Sequence, residues 1–240
     1  MVLLMSSFLT LIINVEGQFE RKDYAIEQAK KLGLVPKVVK AITPSDFVED
    51  QFLVVNPAVE ACWLSHQKAL SEFLDSDSEF VLIFEDDVEI ESIRKSIDSL
   101  IKMTTFNFDL YQVGFLSEGI LNRTEIRIKN IQHSFFKILS KFSSYPILKS
   151  FLTNRMRIER SRMLPLGIVP ADFQAGTHAY IANRKMAEFL LSVNQPFFLP
   201  ADALLHIVAE VDYFNCVRNR KSYISQRKIP SQITKKWHSS

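Results

Sequence analysis

The chain has 240 residues, of which 47% are hydrophobic and 23% charged, and its formal net charge at pH 7 is +2. This composition predicts a globular protein with a substantial core, and it excludes collagen-like, disordered and strongly basic nucleic-acid-binding chains. The only cysteines are Cys62 and Cys216. Two cysteines form neither a disulfide framework nor a cysteine-based metal site, and their low number favours a cytoplasmic location.

The first elements form a predicted βαβ unit. The apolar start, residues 1–15, has no basic flank, no clear small-residue cleavage site and too few residues for a membrane span, so we interpret Phe8 to Val15 as a buried strand. The alternative is a secretion signal. An amphipathic helix is predicted from Phe19 to Leu32, with Gly33 at its C-terminal end. A strand from Val35 to Ile42 completes the unit, which favours a parallel sheet.

The remaining periodic segments continue this alternation. Helices are predicted over residues 56–74, 92–103, 184–193 and 203–209, and strands over residues 81–84, 108–113 and 179–182. Residues 116–170 are the least periodic part of the chain and combine basic with aromatic side chains. We interpret them as an insertion of helical tendency within a single domain of residues 1–240. The stretch from Ser222 onward is polar and basic, without clear periodicity.

The most informative motif is the acidic end of the third predicted strand. The apolar run Val81 to Phe84 leads directly into Glu85, Asp86 and Asp87. Open α/β sheets bind ligands at the carboxyl ends of their strands, and adjacent carboxylates repel unless a cation neutralises them. Oxygen ligands select Mg²⁺ or Mn²⁺ over zinc, and such a cation suits a pyrophosphate. The motif therefore predicts chemistry on a nucleotide-activated substrate; the alternative is an acidic turn that caps the next helix.

Five other polar residues are candidate site residues, each with a structural alternative. Asn14 and Arg21 flank the first strand-to-helix turn, where nucleotides commonly bind. Ser65 and His66 lie on a helix, and the histidine can bind a ribose, a phosphate or a metal ligand, or be a satisfied buried residue. Asp202 is either a helix N-cap or a general base for an acceptor hydroxyl.

A further candidate segment precedes the strand at 179–182. In Gly176-Thr177-His178 the small residues allow a ligand to approach the backbone, and the alternative is again a buried structural histidine.

The sequence contains no Walker loop, no Gly-x-Gly-x-x-Gly, no Gly-x-Ser-x-Gly and no His-Glu-x-x-His. These absences argue against P-loop kinases, dinucleotide oxidoreductases and common hydrolases.

Taken in chain order, six motifs resemble those of glycosyltransferase family 25, the lipooligosaccharide-biosynthesis glycosyltransferases. They are Ile12-Ile13-Asn14-Val15 with Arg21-Lys22, then Ala58-Val59-Glu60-Ala61-Cys62-Trp63-Leu64-Ser65-His66, Phe84-Glu85-Asp86-Asp87-Val88, Asp109-Leu110 with Gly114, Gly176-Thr177-His178-Ala179-Tyr180 with Arg184-Lys185, and Pro200-Ala201-Asp202. Ala58 and Ala61 stand where the family pattern has glycines, and Lys22 stands where it has arginine. These departures affect the shape of the donor pocket and leave the carboxylates intact.

The resemblance implies an α/β fold, the Rossmann-like glycosyltransferase A type, with a mostly parallel central sheet flanked by helices. It implies transfer of a hexose, with galactose favoured, from a uridine-diphosphate sugar to a lipooligosaccharide or lipopolysaccharide acceptor. Residues 116–170 would then form an acceptor-side flap. By this resemblance Mn²⁺ or Mg²⁺ is held by Asp87, supported by Glu85 and Asp86, and Asp202 is the base. The implied donor-pocket residues are Asn14, Arg21, Ser65, His66, Glu85, Asp86, Thr177 and His178.

Two alternatives of other classes remain: a metal-dependent nucleotidyltransferase acting on sugar phosphates, and a non-catalytic carbohydrate-binding relative.

Basic residues cluster in two regions, 137–162 and 218–236. They suggest peripheral contact with the cytoplasmic face of an inner membrane, because anionic lipids attract such clusters, or simply a solvated basic surface. No nucleic-acid partner is expected.

Overall fold

The computed structural model describes residues 8–46, 57–116, 164–170, 176–193, 199–210 and 213–227. Its strands are β1 (Phe8–Asn14), β2 (Pro36–Lys40), β3 (Phe80–Glu85), β4 (Val88–Ile90), β5 (Leu110–Gly114), β6 (Ile168–Pro170), β7 (Ala179–Asn183), β8 (Cys216–Asn219) and β9 (Ile224–Gln226). Its α-helices are α1 (Phe19–Lys31), α2 (Pro57–Leu74), α3 (Ile93–Lys102), α4 (Arg184–Ser192) and α5 (Ala201–Glu210).

Seven strands form one sheet in the order β2-β1-β3-β7-β5-β8-β6, and β4 and β9 form a separate antiparallel pair. Strands β1, β2 and β3 are mutually parallel, and β5 is parallel to β8. Strand β7 is antiparallel to both of its neighbours, and β6 is antiparallel to β8. Five of the seven strands therefore point the same way. This confirms the predicted fold class, an α/β fold with a mostly parallel central sheet flanked by helices.

Helices cover both faces of the sheet. Strand β1 sends Leu11 and Ile13 into one hydrophobic cluster and Ile12 into the other, so its continuous apolar run is buried on both sides. The first cluster includes side chains of α2, α4 and α5, and the second includes side chains of α1 and α3. No helix in the described ranges is both long enough and apolar enough to span a membrane.

The predicted elements agree with the structure to within a few residues where the hydrophobic pattern is strong. Gly33 follows α1 with φ +76°, the left-handed conformation that a helix end favours. Pro36 opens β2, an edge strand, where its missing N–H costs no ladder hydrogen bond. The helix expected at Ala203 already begins at Ala201, and the carbonyl of Pro200 accepts the N–H of Leu204. Asp202 is therefore inside the first turn, which corrects its N-cap interpretation.

Four short strands were not predicted. Strands β4, β6, β8 and β9 have three or four residues each, too few for a clear alternating pattern. Strand β6 lies within residues 116–170, where helical tendency was expected, and is a correction to that expectation. The rest of that segment, residues 117–163, lies outside the described residues. Strand β9 lies in the stretch after Ser222 that had no readable periodicity.

One side chain fixes the C-terminal end of α2 to the start of α4. The guanidinium of Arg184 donates to the carbonyls of Leu74 (2.7 Å) and Ser76 (2.9 Å), and its central carbon lies 5.6 Å from the centre of the Phe73 ring. The last carbonyls of a helix have no partner within the helix. Arg184 satisfies them and thereby positions α2, the helix that carries Ser65 and His66.

We expect Arg184→Ala to lower the free energy of unfolding by about 1–3 kcal/mol, because it leaves half-buried carbonyls without donors. Arg184→Lys should recover only part of this loss, since one ammonium cannot reproduce the planar fork of donors. Urea unfolding followed by circular dichroism measures both values. Equal stability of the wild type and Arg184→Ala would contradict the role given to this side chain.

Candidate functional site

The carboxyl ends of β1 and β3 are neighbours, and this adjacency assembles the acidic corner, defined as Glu85, Asp86 and Asp87. In the parallel register Ile13 pairs with Glu85, so the residues that follow each strand come together. Asn14 donates from Nδ2 to Asp86 Oδ2 at 2.7 Å, and both residues are buried. The strand-end position of Asn14 thus supplies a neutral donor to one carboxylate.

Arg21 is the cation of the acidic corner. It lies in the first turn of α1, and its guanidinium forms a close ion pair with Asp86 and a 3.0 Å contact with Asp87 Oδ2. From β9, Gln226 donates to the same oxygen at 2.8 Å, and the N–H of Arg227 donates to the backbone carbonyl of Asp87 at 2.7 Å. One guanidinium therefore faces two carboxylates, those of Asp86 and Asp87.

Asp87 has the features of a cation ligand. Burial and the negative charge of Glu85 raise its pKa to about 6, although Gln226 and Arg21 act in the opposite direction. Its second carboxylate oxygen, Oδ1, is buried and has no hydrogen-bond partner. A buried carboxylate oxygen without a donor is costly unless a cation binds it. The acidic corner thus fits Mg²⁺ or Mn²⁺, which prefer oxygen ligands.

Glu85 faces a different group of side chains. Thr177 donates to Glu85 Oε1 at 2.6 Å, and His66 Nε2 lies 3.5 Å from the same oxygen. Burial alone would raise the pKa of Glu85, but interactions with His66 and Thr177 outweigh burial and lower the pKa to about 2. Glu85 is therefore held ionised beside the buried ring of His66. Tyr180, which the sequence reasoning did not select, has its hydroxyl 3.1 Å from His66 Nδ1.

His178 and Ser65 have largely structural contacts. His178 donates from Nε2 to the carbonyl of Ile224 in β9 at 3.2 Å, and burial lowers its pKa, so the neutral ring is favoured. The hydroxyl of Ser65 donates to the carbonyl of Ala61 and accepts the N–H of Ile42 at 2.8 Å. These bonds tie α2 to the loop after β2, away from the carboxylates. The backbone N–H of Glu85 also donates to His178, which joins β3 to the start of β7.

Asp202 lies in the first turn of α5, within electrostatic reach of Cys62. Its Oδ1 accepts the N–H of Ala203 at 2.9 Å in the first turn of α5. Burial raises the pKa of the Cys62 thiol, and the charges of Glu85, Asp202 and Asp87 raise it further. These carboxylates and Cys62 therefore share one region. Cys62 also joins His66 and Glu85 in a group whose potential ligand atoms all lie within 4.8 Å of one another.

The structure therefore brings most of the predicted residues into one network. Its members from the sequence analysis are Asn14, Arg21, His66, Glu85, Asp86, Asp87 and Thr177. Gln226, Cys62 and Tyr180 were missed. Gln226 lies in a strand too short to recognise, and Cys62 was not selected because two cysteines were expected to form no cysteine-based metal site.

Comparison with known proteins agrees with these features. The sequence pattern described as "Glycosyltransferase family 25 (LPS biosynthesis protein)" matches residues 8–205. No curated protein sequence matches the chain. Among solved structures, one that it resembles is described as a glycosyltransferase involved in the glycosylation of the major capsid of PBCV-1. The two share 10% sequence identity with a TM-score of 0.47, over 93% of this chain and 94% of that one.

The family match spans β1 to the first turns of α5 and so includes Asn14, Arg21, the acidic corner, Thr177 and Asp202. It covers well over half of the chain. The protein belongs to glycosyltransferase family 25.

Proposed function

We propose that this glycosyltransferase moves a hexose, with galactose as the first candidate, from a uridine-diphosphate sugar to a lipooligosaccharide or lipopolysaccharide acceptor. The observation that carries this proposal is the buried, unpartnered Oδ1 of Asp87 at the carboxyl end of β3. Ligands of open α/β sheets bind at that edge. The family description supports the nucleotide-sugar donor and the lipopolysaccharide acceptor.

Asp87 would be the first ligand of Mn²⁺ or Mg²⁺, with Asp86 and Glu85 in support. When bound, such a cation neutralises the charge that develops on the leaving diphosphate. The three carboxylates and Arg21 together carry two excess negative charges when all are ionised, as counted from three acids and one guanidinium. A dication cancels this excess.

Arg21 would position the donor phosphates as well as the acids. Its guanidinium holds Asp86 and Asp87, while its Nε is buried and has no hydrogen-bond partner. That N–H is a donor available to a phosphate oxygen, and arginine suits phosphate recognition. Asn14, His66 and Thr177 would complete the donor pocket by fixing the carboxylates, with Ser65 and His178 supporting the surrounding backbone.

Asp202 would be the general base. In the proposed reaction the acceptor hydroxyl gives its proton to the Asp202 carboxylate as its oxygen bonds to the sugar's anomeric carbon. The bond between that carbon and the diphosphate breaks, and uridine diphosphate leaves. The half-buried position of Asp202 at the start of α5 and its electrostatic effect on Cys62 support this role.

Residues 116–170 would form an acceptor-side flap of the single domain, and the basic regions would contact the cytoplasmic face of the inner membrane. Most of these residues lie outside the described ranges. In the second basic region the guanidinium of Arg227 lies 4.0 Å from the centre of the Tyr24 ring, so this cation already has an aromatic partner. Anionic lipids would then interact chiefly with exposed neighbours such as Arg220 and Lys221.

A panel of nucleotide sugars, with and without Mn²⁺, separates the proposed activity from its alternatives. A hexosyltransferase releases uridine diphosphate and forms a glycoside when the acceptor is present. A nucleotidyltransferase would instead release pyrophosphate when it is supplied with a nucleoside triphosphate and a sugar phosphate, and a carbohydrate-binding relative would release neither leaving group. Coupled assays for the two leaving groups give the result directly.

We expect Asp87→Ala to reduce sugar transfer by at least about 100-fold, because electrostatic stabilisation of the leaving group is lost. The matched control is Asp77→Ala, which removes an exposed carboxylate in the turn at the opposite end of β3. Transfer rates at saturating donor and Mn²⁺, with circular dichroism to confirm folding, measure the effect. Full activity of Asp87→Ala, or of the wild type in excess chelator, would refute the metal role.

The raised pKa of Asp87 predicts a proton–cation competition. Below pH 6 this carboxyl is mostly protonated when no cation is bound, so each bound cation must displace a proton. The Mn²⁺ concentration for half-maximal activity should rise about tenfold per pH unit below 6 and be independent of Asp87 protonation above about 7. Titrations of Mn²⁺ at pH 5, 6, 7 and 8 test this. A constant value from pH 5 to 8 would contradict it.

Asp202→Asn should lower the rate of transfer by about 100-fold or more while leaving donor binding nearly unchanged, because a general base acts on the acceptor. Isothermal titration with uridine diphosphate and Mn²⁺ measures binding, and product formation measures transfer. Loss of nucleotide binding with Asp202→Asn would instead assign this residue to the donor pocket.

A further inference from the structure

A second potential metal-binding group shares Glu85 with the acidic corner. Cys62 and His66 are four residues apart on α2, so they occupy the same face of the helix, and Glu85 approaches them from the end of β3. Their candidate ligand atoms all lie within 4.8 Å of one another. We propose that Cys62, His66 and Glu85 form a zinc-binding site that requires neither Asp87 nor glycosyl transfer.

The distances between the ligand atoms are compatible with tetrahedral coordination of one zinc ion. His66 Nε2 and Glu85 Oε1 are 3.5 Å apart, which is long for a hydrogen bond. It is close to the roughly 3.4 Å that separates two ligand atoms, each about 2.05 Å from a tetrahedral zinc. All ligand atoms of the group lie within 4.8 Å of one another, so the thiol of Cys62 would have to move inward by at most about 1 Å as the ion binds.

The donor set selects the kind of cation. A thiolate and an imidazole are ligands for zinc, whereas Mg²⁺ and Mn²⁺ favour oxygen ligands. The carboxylate of Glu85 completes a set of three protein ligands of types found in catalytic zinc sites. This group therefore differs chemically from Asp87 and Asp86, whose available atoms are all oxygens.

The neighbours of these ligands support the site. The Tyr180 hydroxyl lies 3.1 Å from His66 Nδ1, and Thr177 donates to Glu85 Oε1 at 2.6 Å. Ligating histidines commonly donate their other ring N–H to a polar partner, which fixes the ring and its tautomer. Zinc binding would select the tautomer in which Nδ1–H donates to Tyr180 and the lone pair of Nε2 faces the ion.

One side of this group of ligands is accessible to solvent. His66 is 1% exposed and anchors the inner side, whereas the side chain of Glu85 is 24% exposed and Cys62 is half-buried. Three protein ligands with solvent access on one side describe an open zinc site and not a closed structural one. Water would occupy the fourth position.

Binding also has a defined proton balance. Burial and three nearby carboxylates keep the Cys62 thiol protonated when no cation is present. Zinc forms the S–Zn bond as the S–H bond breaks, and the proton leaves to solvent. The carboxylates that disfavour the free thiolate attract the dication, so the surrounding charge favours the metal-bound form.

Cobalt(II) is the probe for the experiment, because a thiolate ligand gives it a near-ultraviolet charge-transfer band that oxygen and nitrogen ligands do not give. We expect the full chain to show this band at one equivalent of Co²⁺ and to lose it when Zn²⁺ displaces the cobalt. Cys62→Ala should abolish the band. Cys216→Ala is the matched control, since it removes the other cysteine, buried in β8, and it should keep the band.

Asp87→Ala should also keep the band, which separates this site from the proposed donor cation. Tyr180→Phe should weaken Co²⁺ binding by about tenfold or more, because it removes the hydroxyl that contacts His66 Nδ1 and orients the ring. Circular dichroism verifies folding, and Cys62→Ser replaces the alanine variant if that variant is unfolded. No band in the wild type, a band that survives loss of Cys62, or a band that requires Asp87 would overturn the proposal.

Discussion

The burial of carboxylates at the adjoining ends of β1 and β3 is the constraint on which the rest of the site depends. Parallel pairing places Asn14 next to Asp86, and the first turn of α1 then brings Arg21 to both aspartates. Burying adjacent acids is unfavourable unless donors and cations surround them. Asn14 and Arg21 supply a neutral donor and a cation to these acids, whereas Oδ1 of Asp87 is buried without a hydrogen-bond partner.

The hydrophobic pattern of the sequence was enough to predict the core elements. Long apolar runs and amphipathic helices gave β1, α1, α2 and β3 with boundaries within a few residues. The direction of β7 was not predictable, because the same alternating residues fit parallel and antiparallel neighbours. Strands β8 and β9 were missed since three or four residues do not establish a period and their pairing partners are far away in the chain.

Site residues were predictable where polar or charged side chains lie at the end of a predicted strand or in the turn that follows it. Glu85, Asp86 and Asp87 were selected for that reason, and Asn14 and Arg21 for their place at the first turn. The sequence, in which the three acidic residues are adjacent, did not predict that their side chains would lie in two different environments. Asp86 and Asp87 face Arg21, whereas Glu85 faces His66 and Thr177. The direction of a side chain that follows a strand depends on tertiary packing. The propensities of single residues carry no information about that packing.

The contact of β9 with Asp87 determines when the acidic corner can be completed during synthesis of the chain. Gln226 and the N–H of Arg227 reach Asp87 from a position 139 and 140 residues further along the chain. While the polypeptide is still emerging from the ribosome, β1 and β3 can pair, but Asp87 lacks these two donors until the last described strand has been synthesised. The acidic corner therefore matures late, and a partly translated chain would expose its carboxylates to cations before the surrounding scaffold is complete.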